Sequence, residues 1–225
     1  MTTAVIVSHV LREPRAFLDE IRDSKGLAGK SIALLAVSSA LFALHGVLLG
    51  SATGGPQALV SAIKLPILFL LTMAICFPTL HLLNLLYGSR HSTGQLAVLL
   101  LATIAVTAVI SAAFFPIIAF FLISSSSYLF YKLLNIAVLG FAAIYGLRFL
   151  FAGMRHLQGD EPSQNTGSIL RAWLFLYVFV GCQLAWVTRP FFGAPNLPFE
   201  VFREGRGNFY TDVKHSVEAL VGLDD

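Results

Sequence analysis

Long uncharged apolar stretches dominate the pattern of the chain. Five of them reach the roughly 20 residues that a helix needs to cross a hydrocarbon core about 30 Å thick. They cover residues 29–51, 65–87, 96–123, 128–153 and 169–188. The stretches lack the period-two alternation of a transmembrane barrel. Backbone groups in lipid must find partners within their own segment, so the pattern predicts an all-α fold, a polytopic bundle of about five transmembrane helices.

The segments between these stretches are short, which predicts antiparallel neighbours. Residues 52–64 are expected to form a loop because Gly54, Gly55 and Pro56 disfavour a helix. Proline also occurs within the predicted spans, where it bends a helix. The chain therefore divides into an amphipathic leader at 1–28, a five-helix domain at 29–188 and an aromatic, proline-rich tail at 189–225 that ends in an amphipathic helix.

Both ends of the chain have an apolar face. In the leader, Phe17, Leu18 and Ile21 share one side of a helix that we expect to start at Pro14 and to lie on the inner membrane surface. In the tail, Asn208 is a plausible N-cap for a second amphipathic helix. The aromatic residues before it are too apolar for a free linker. The surface that covers them is either the protein's own helices or another subunit.

Composition and charge support the membrane assignment. Hydrophobic residues make up 56% of the chain and charged residues 12%, whereas soluble proteins carry about 25% charged residues. Nine Lys and Arg residues fall on the side of the leader and six on the side of the tail. By the positive-inside rule this predicts a cytoplasmic N-terminus and an outside C-terminus, most simply in a bacterial cytoplasmic membrane. The basic residues form no aromatic-basic stripe, so nucleic acid is not an expected partner.

Polar side chains inside predicted spans are the first candidates for chemistry. His45 and His81 lie about 24 Å along antiparallel helices, hence near opposite faces of the bilayer, too far apart to share a metal. We expect both to be interfacial or helix-packing groups, and no catalytic, cofactor or metal residue is predicted. Small residues spaced four apart favour close helix packing. These predicted packing residues are Gly46, Gly50, Ala142 and Gly146.

Two segments resemble the Yip1-like family of five-span membrane proteins, including its bacterial members. They are REPRAFLDEIRDSKG at 12–26, before the first span, and LNLLYGSRHSTGQLAVLL at 83–100, between the second and third. The resemblance implies a cytoplasmic leader, five helices and a non-enzymatic role in membrane organisation or partner recruitment. The long aromatic tail departs from the usual short terminus of that family and resembles tails of uncharacterised bacterial multi-pass proteins.

These features predict a non-catalytic membrane scaffold or accessory subunit that recruits a protein partner or a further copy of itself within the bilayer. The residues expected to bind the partner are Arg189, Phe191, Phe192, Pro198, Phe199, Phe202, Asn208 and Phe209. The alternative is a small transporter or oligomeric pore. An intramembrane enzyme is a weaker alternative because the two histidines are predicted at different depths.

Overall fold

A computed structural model describes residues 3–86, 91–124, 127–158, 166–193, 201 and 211. The regular elements of these residues are helices: α1 Thr3–Arg12, α2 Pro14–Arg22, α3 Leu27–Ser51, α4 Gly55–Leu86, α5 Thr93–Ala113, α6 Phe115–Ser124, α7 Tyr128–Gln158 and α8 Thr166–Val187. Five of the described helices, α3, α4, α5, α7 and α8, are long and apolar enough to cross a membrane. The predicted fold class is therefore confirmed.

Helix α5 is the centre of the bundle. It packs against α3 on one side and α7 on the other, while α4 packs against α3 and α8 against α4. In its most apolar window 72% of the residues are buried inside the protein, compared with 11% for α8. Helix α8 therefore stands at the edge of the bundle, where most of its surface is left for lipid.

The leader packs on one end of the bundle, which we call the leader end. Phe17 and Ile21 are fully buried, and the side chain of Leu18 lies against Gly153 of α7. Helix α2 thus begins at Pro14 as expected, but its apolar face contacts the protein and not the membrane surface. The reason is that the ends of α5 and α7 expose their own apolar side chains there, and the two surfaces cover each other.

Two predicted boundaries differ from the structure, and a proline accounts for each. Helix α4 begins at Gly55, so most of the predicted 52–64 loop is helical; Pro56 stands in its first turn, where its missing N–H has no helical partner to lose. The predicted third span is interrupted at Phe114 and continues as α6. Pro116 cannot donate to the carbonyl four residues earlier, so the helix restarts with this proline in its first turn.

Small residues lie where α7 meets α5. A Cβ atom on Gly146 would collide with the hydroxyl of Thr107 and would lie 3.0 Å from the carbonyl oxygen of Thr103. Ala142, one turn earlier on the same face of α7, is fully buried. Both residues therefore lie at contacts within one chain.

Candidate functional site at the C-terminal segment

A polar stripe runs along the first three turns of α4. Gln57, Ser61 and Lys64 are spaced four and three residues apart, which places them on one side of the helix. All three side chains are buried, with exposed fractions of 4%, 0% and 7%. Buried polar groups need hydrogen-bond partners, so this face of α4 must meet another polar surface.

The partner is the backbone that follows α8. Gln57 Nε2 donates to the carbonyl oxygen of Pro190 at 2.8 Å and to Ser61 Oγ at 3.1 Å. Ser61 Oγ in turn donates to the carbonyl of Phe191. Lys64 Nζ donates to the carbonyl of Thr188 at 2.7 Å, and also to that of Val201. Three side chains of one helix therefore bind an irregular segment through its carbonyl groups.

Two neighbouring side chains extend this pattern. Thr53 Oγ1 donates to the carbonyl of Phe192 at 2.7 Å, and the Tyr128 hydroxyl donates to that of Gly193 at 2.5 Å. We call Thr53, Gln57, Ser61, Lys64 and Tyr128 the tail-binding site, and the end of the bundle that carries it the tail end. The bound segment contains a proline and is not helical, so its carbonyl groups have no hydrogen-bond partners within a helix. The side chains of the tail-binding site supply the donors instead.

Close contact between α3 and α4 sets the position of the tail-binding site. A Cβ atom on Gly46 would collide with the carbonyl oxygen of Ser61, and one on Gly50 would lie 2.6 Å from the Cα atom of Ala58. The two glycines therefore let the backbones approach at the turns of α4 that carry Gln57 and Ser61. Both glycines are among the predicted packing residues, and their contact lies within one chain.

The aromatic side chains of the bound segment pack on the bundle. Phe191 and Phe192 contact a cluster that includes Phe42 and Leu49 of α3, and Phe192 also reaches a cluster around Ile118. Beside them the guanidinium of Arg189 stacks on the Trp186 ring at 3.5 Å from its centroid. The protein's own helices thus cover this part of the tail. The predicted partner-binding residues Pro198, Phe199, Phe202, Asn208 and Phe209 lie outside the described residues.

The leader end is held by charged groups. Lys30 is 6% exposed, and its Nζ lies 2.9 Å from a carboxylate oxygen of Glu20 and donates to the carbonyl of Lys25 at 2.5 Å. This hydrogen bond from Lys30 lowers the pKa of Glu20 below its ordinary value of 4.5. At the adjacent position of α2, Asp19 Oδ1 lies 2.6 Å from His156 Nε2 of α7. Two ionisable pairs therefore attach α2 to α3 and α7.

A glutamine completes the attachment of the leader. Gln95 closes the capping box at the start of α5, with its backbone N–H bound to Ser92 Oγ and its Oε1 accepting from the Ser92 N–H. Its Nε2 group donates across to the carbonyl of Arg22 at 2.8 Å. The residue therefore connects the end of α2 with the first turn of the central helix.

The two intramembrane histidines lie at opposite ends of the bundle. His45 is fully buried near the tail end, with its ring edge-on to Phe115 at 5.5 Å between centroids. His81 lies near the leader end, 3.4 Å from Thr93 Oγ1. Asn135 donates to the carbonyl of Tyr131 within its own helix at 2.8 Å. In the part of the chain that the structure describes, no three His, Cys, Asp or Glu side chains are grouped to hold a metal.

The tail-binding site is not among the predicted sites. Gln57, Ser61 and Lys64 repeat with helical spacing, and that spacing is the signal in the sequence that indicates their common face. The expectation of a loop at 52–64, which depends on Gly54, Gly55 and Pro56, hides this signal. The last two stand at the start of α4, where such residues are compatible with a helix.

The fold is that of an α-helical polytopic membrane protein, and comparison with known families identifies which kind. A family model of the Yip1 domain matches residues 8–186. The chain belongs to the Yip1 domain family, whose members are membrane proteins not known as enzymes. No curated protein and no solved structure matches it. The matched region includes the polar stripe of α4 but ends before the segment that the stripe binds.

Proposed function

We propose that this protein is a non-catalytic membrane scaffold or accessory subunit, which recruits a protein partner through the part of the tail that follows residue 193. The supporting observation is the anchoring of residues 188–193. The buried side chains of Gln57, Ser61 and Lys64 and the partly buried ones of Thr53 and Tyr128 bind five carbonyl groups of this segment. These carbonyls belong to Thr188, Pro190, Phe191, Phe192 and Gly193. Because these hydrogen bonds hold residues 188–193 in place, the part of the tail that follows them starts from a defined position at the tail end.

In this proposal the aromatic residues before residue 193 and those after it have different roles. Phe191 and Phe192 pack on the bundle, so they serve as anchors of the tail. Phe199 and Phe202, with Pro198, Asn208 and Phe209, supply the surface for the partner. Aromatic side chains suit this role because they bury a large area for few rotatable bonds, and interface hot spots are enriched in tyrosine and tryptophan for the same reason.

The proposal includes an orientation. The leader faces the cytoplasm and the tail faces the outside, in a bacterial cytoplasmic membrane. The distribution of Lys and Arg supports this, and the leader and the bound tail segment pack at opposite ends of the bundle. Single cysteines introduced at Ser8 and at Val201, both exposed, test it with a reagent that does not cross membranes. Labelling of both positions from one side would overturn the orientation.

Recruitment is tested by co-purification of the full chain from its native membrane in a lipid-preserving polymer. A double Phe199→Ala, Phe202→Ala variant is expected to lose a stoichiometric partner by about tenfold or more, since each change removes an aromatic anchor. The matched control is Phe120→Ala, Phe175→Ala, at lipid-facing positions that are 63% and 76% exposed. The control should retain the partner. Equal recovery from both variants, or a wild-type particle that contains this chain alone as a monomer, would contradict the proposal.

A further inference from the structure

A narrow crevice opens between α7 and α8 halfway along the bundle. Its walls are Ala143 and Leu147 of α7 and Trp173 and Tyr177 of α8, and α5 forms its floor. The empty volume is about 520 Å³, part of it in the open mouth. The crevice exists because α8 packs against α4 and leaves a gap toward α7.

The apolar lining of the crevice favours a hydrocarbon as its ligand. Almost no polar atom faces the space. The hydroxyls of Thr103 and Thr107 on the floor donate to carbonyls of their own helix, both at 2.9 Å. The indole N–H of Trp173 donates to the carbonyl of Cys76 at 2.9 Å. Three of the four polar side chains of the lining are therefore engaged, and the fourth, Tyr177, adds little because the space meets almost no polar surface. A polar ligand entering the crevice would lose its solvation with little return in hydrogen bonds.

The depth of the crevice in the bilayer indicates which hydrocarbon can reach it. Thr103 stands at the middle of the 21-residue helix α5, about 15 Å from either end at 1.5 Å per residue. The mouth therefore opens into the hydrocarbon core of the bilayer. Val178, at the α8 side of the mouth, is 47% exposed. Lipid chains are the molecules present at that depth.

We propose that the crevice between α7 and α8 binds one acyl chain of a membrane phospholipid. The chain enters laterally from the bilayer and lies against the paired rings of Trp173 and Tyr177, whose centroids are 5.2 Å apart. It contacts α5 at the floor and so connects the edge helix α8 with the centre of the bundle. This role is independent of partner recruitment by the tail.

Quenching of tryptophan fluorescence by brominated lipid tests this inference. The chain has two tryptophans, and Trp186→Phe leaves Trp173 as the single reporter. Trp173 is 1% exposed, so surrounding lipid contacts it little, and bromine atoms come close to it mainly when a brominated chain occupies the crevice that it lines. The full-length variant is reconstituted in phosphatidylcholine vesicles with or without bromine at mid-chain. We expect strong quenching of Trp173.

Filling the crevice should remove most of that quenching. In the same background Ala143→Phe is expected to lower it about twofold or more, because the added ring takes up the volume that the chain would use. Ala137→Phe is the matched control, since Ala137 lies on an exposed face of the same helix. Val178→Phe, which narrows the mouth from α8, should act like Ala143→Phe and covers the case in which the latter fails to fold. Folding is checked by circular dichroism.

Three results would overturn the inference. The first is wild-type quenching in folded Ala143→Phe and Val178→Phe. The second is an equal loss in the Ala137→Phe control. The third is quenching that falls as the protein-to-lipid ratio rises, which would show that a second copy of the chain fills the crevice.

Discussion

The two ends of the bundle hold their terminal segments by different kinds of contact. At the leader end, a regular helix is attached through pairs of ionisable side chains, Glu20 with Lys30 and Asp19 with His156. At the tail end, an irregular segment is attached through its backbone, with Ser61 and other side chains donating to consecutive carbonyls. The difference follows from secondary structure. A helix satisfies its own carbonyls except those of its last turn, where Gln95 donates to Arg22, whereas a proline-containing segment needs outside donors for most of its carbonyls.

The contacts at the two ends of the bundle differ in their sensitivity to salt and pH. Contacts between exposed ionisable groups weaken with salt and with pH. Apart from Lys64, the donors of the tail-binding site are uncharged, so their hydrogen bonds to carbonyls respond less strongly to salt and pH. We therefore expect perturbations that act on charge to loosen the leader end and perturbations of packing to loosen the tail end. A single chymotrypsin digest measures how often each end opens. Cleavage after the buried Phe17 reports opening of the leader end, and cleavage after Phe191 or Phe192 reports opening of the tail end.

The largest effect is expected from the glycine contact under the tail-binding site. A Gly46→Ala, Gly50→Ala variant must push α3 and α4 apart, because each Cβ would meet backbone atoms of α4. Such overpacking costs about 1–3 kcal/mol, measured as a lower unfolding temperature in detergent. Gly140→Ala is the control, since a Cβ there meets nothing within 4 Å. It should leave stability unchanged or raise it, and equal losses in both would refute the packing role.

The next largest effects are expected from Gln57→Leu at the tail end and Gln95→Leu at the leader end. Gln57→Leu removes the closer donor to the Pro190 carbonyl and leaves it only Lys64 Nζ at 3.5 Å. A buried carbonyl that loses its good hydrogen bond costs about 1–3 kcal/mol. Cleavage after Phe191 or Phe192 should then rise about tenfold, since proteolysis follows the open population. Cleavage after Phe17 should not change. Gln95→Leu should do the reverse, because Gln95 connects α2 with α5. Joint loosening of both ends in either variant would show that the ends are coupled.

A smaller effect is expected from acid. The pKa of Glu20 is lowered by its hydrogen bond from Lys30, with Lys25 and His9 adding to the effect. A carboxyl with a lowered folded-state pKa stabilises the fold above its unfolded value near 4.5, and the contribution is lost as pH falls through the lower folded value. Below pH 4.5 an acid-active protease should therefore cleave the leader faster. Glu20→Gln should weaken this pH dependence, and an unchanged dependence would exclude Glu20.

The smallest effect is expected from the exposed pair between α2 and α7. The Asp19 side chain is 60% exposed, and exposed pairs contribute about 0–1 kcal/mol. Asp19→Asn should raise cleavage after Phe17 by about twofold at low salt, with no difference from the wild type at high salt. A large effect that persists in high salt would mean that Asp19 acts through something other than charge.

The sequence carried enough information for the class of protein and for most of the spans. Lengths and composition predicted five membrane helices because a span in lipid must satisfy its own backbone locally. The preference of proline for the first turn of a helix located the start of α2 at Pro14. The sequence-based boundaries were wrong at Gly55 and at Phe114, where the position of a proline relative to the first turn decides whether a helix begins or stops.

Only the tertiary structure decided what the two ends contact. The apolar face of α2 was visible in the sequence, but lipid and protein are both apolar, and the choice between them depends on which surfaces of α5 and α7 remain uncovered. The partners of Gln57, Ser61 and Lys64 are backbone atoms more than 120 residues away. Such contacts exist only after α3, α4 and α8 have packed, because every residue has a carbonyl group and its sequence neighbours do not indicate which distant donor will bind it.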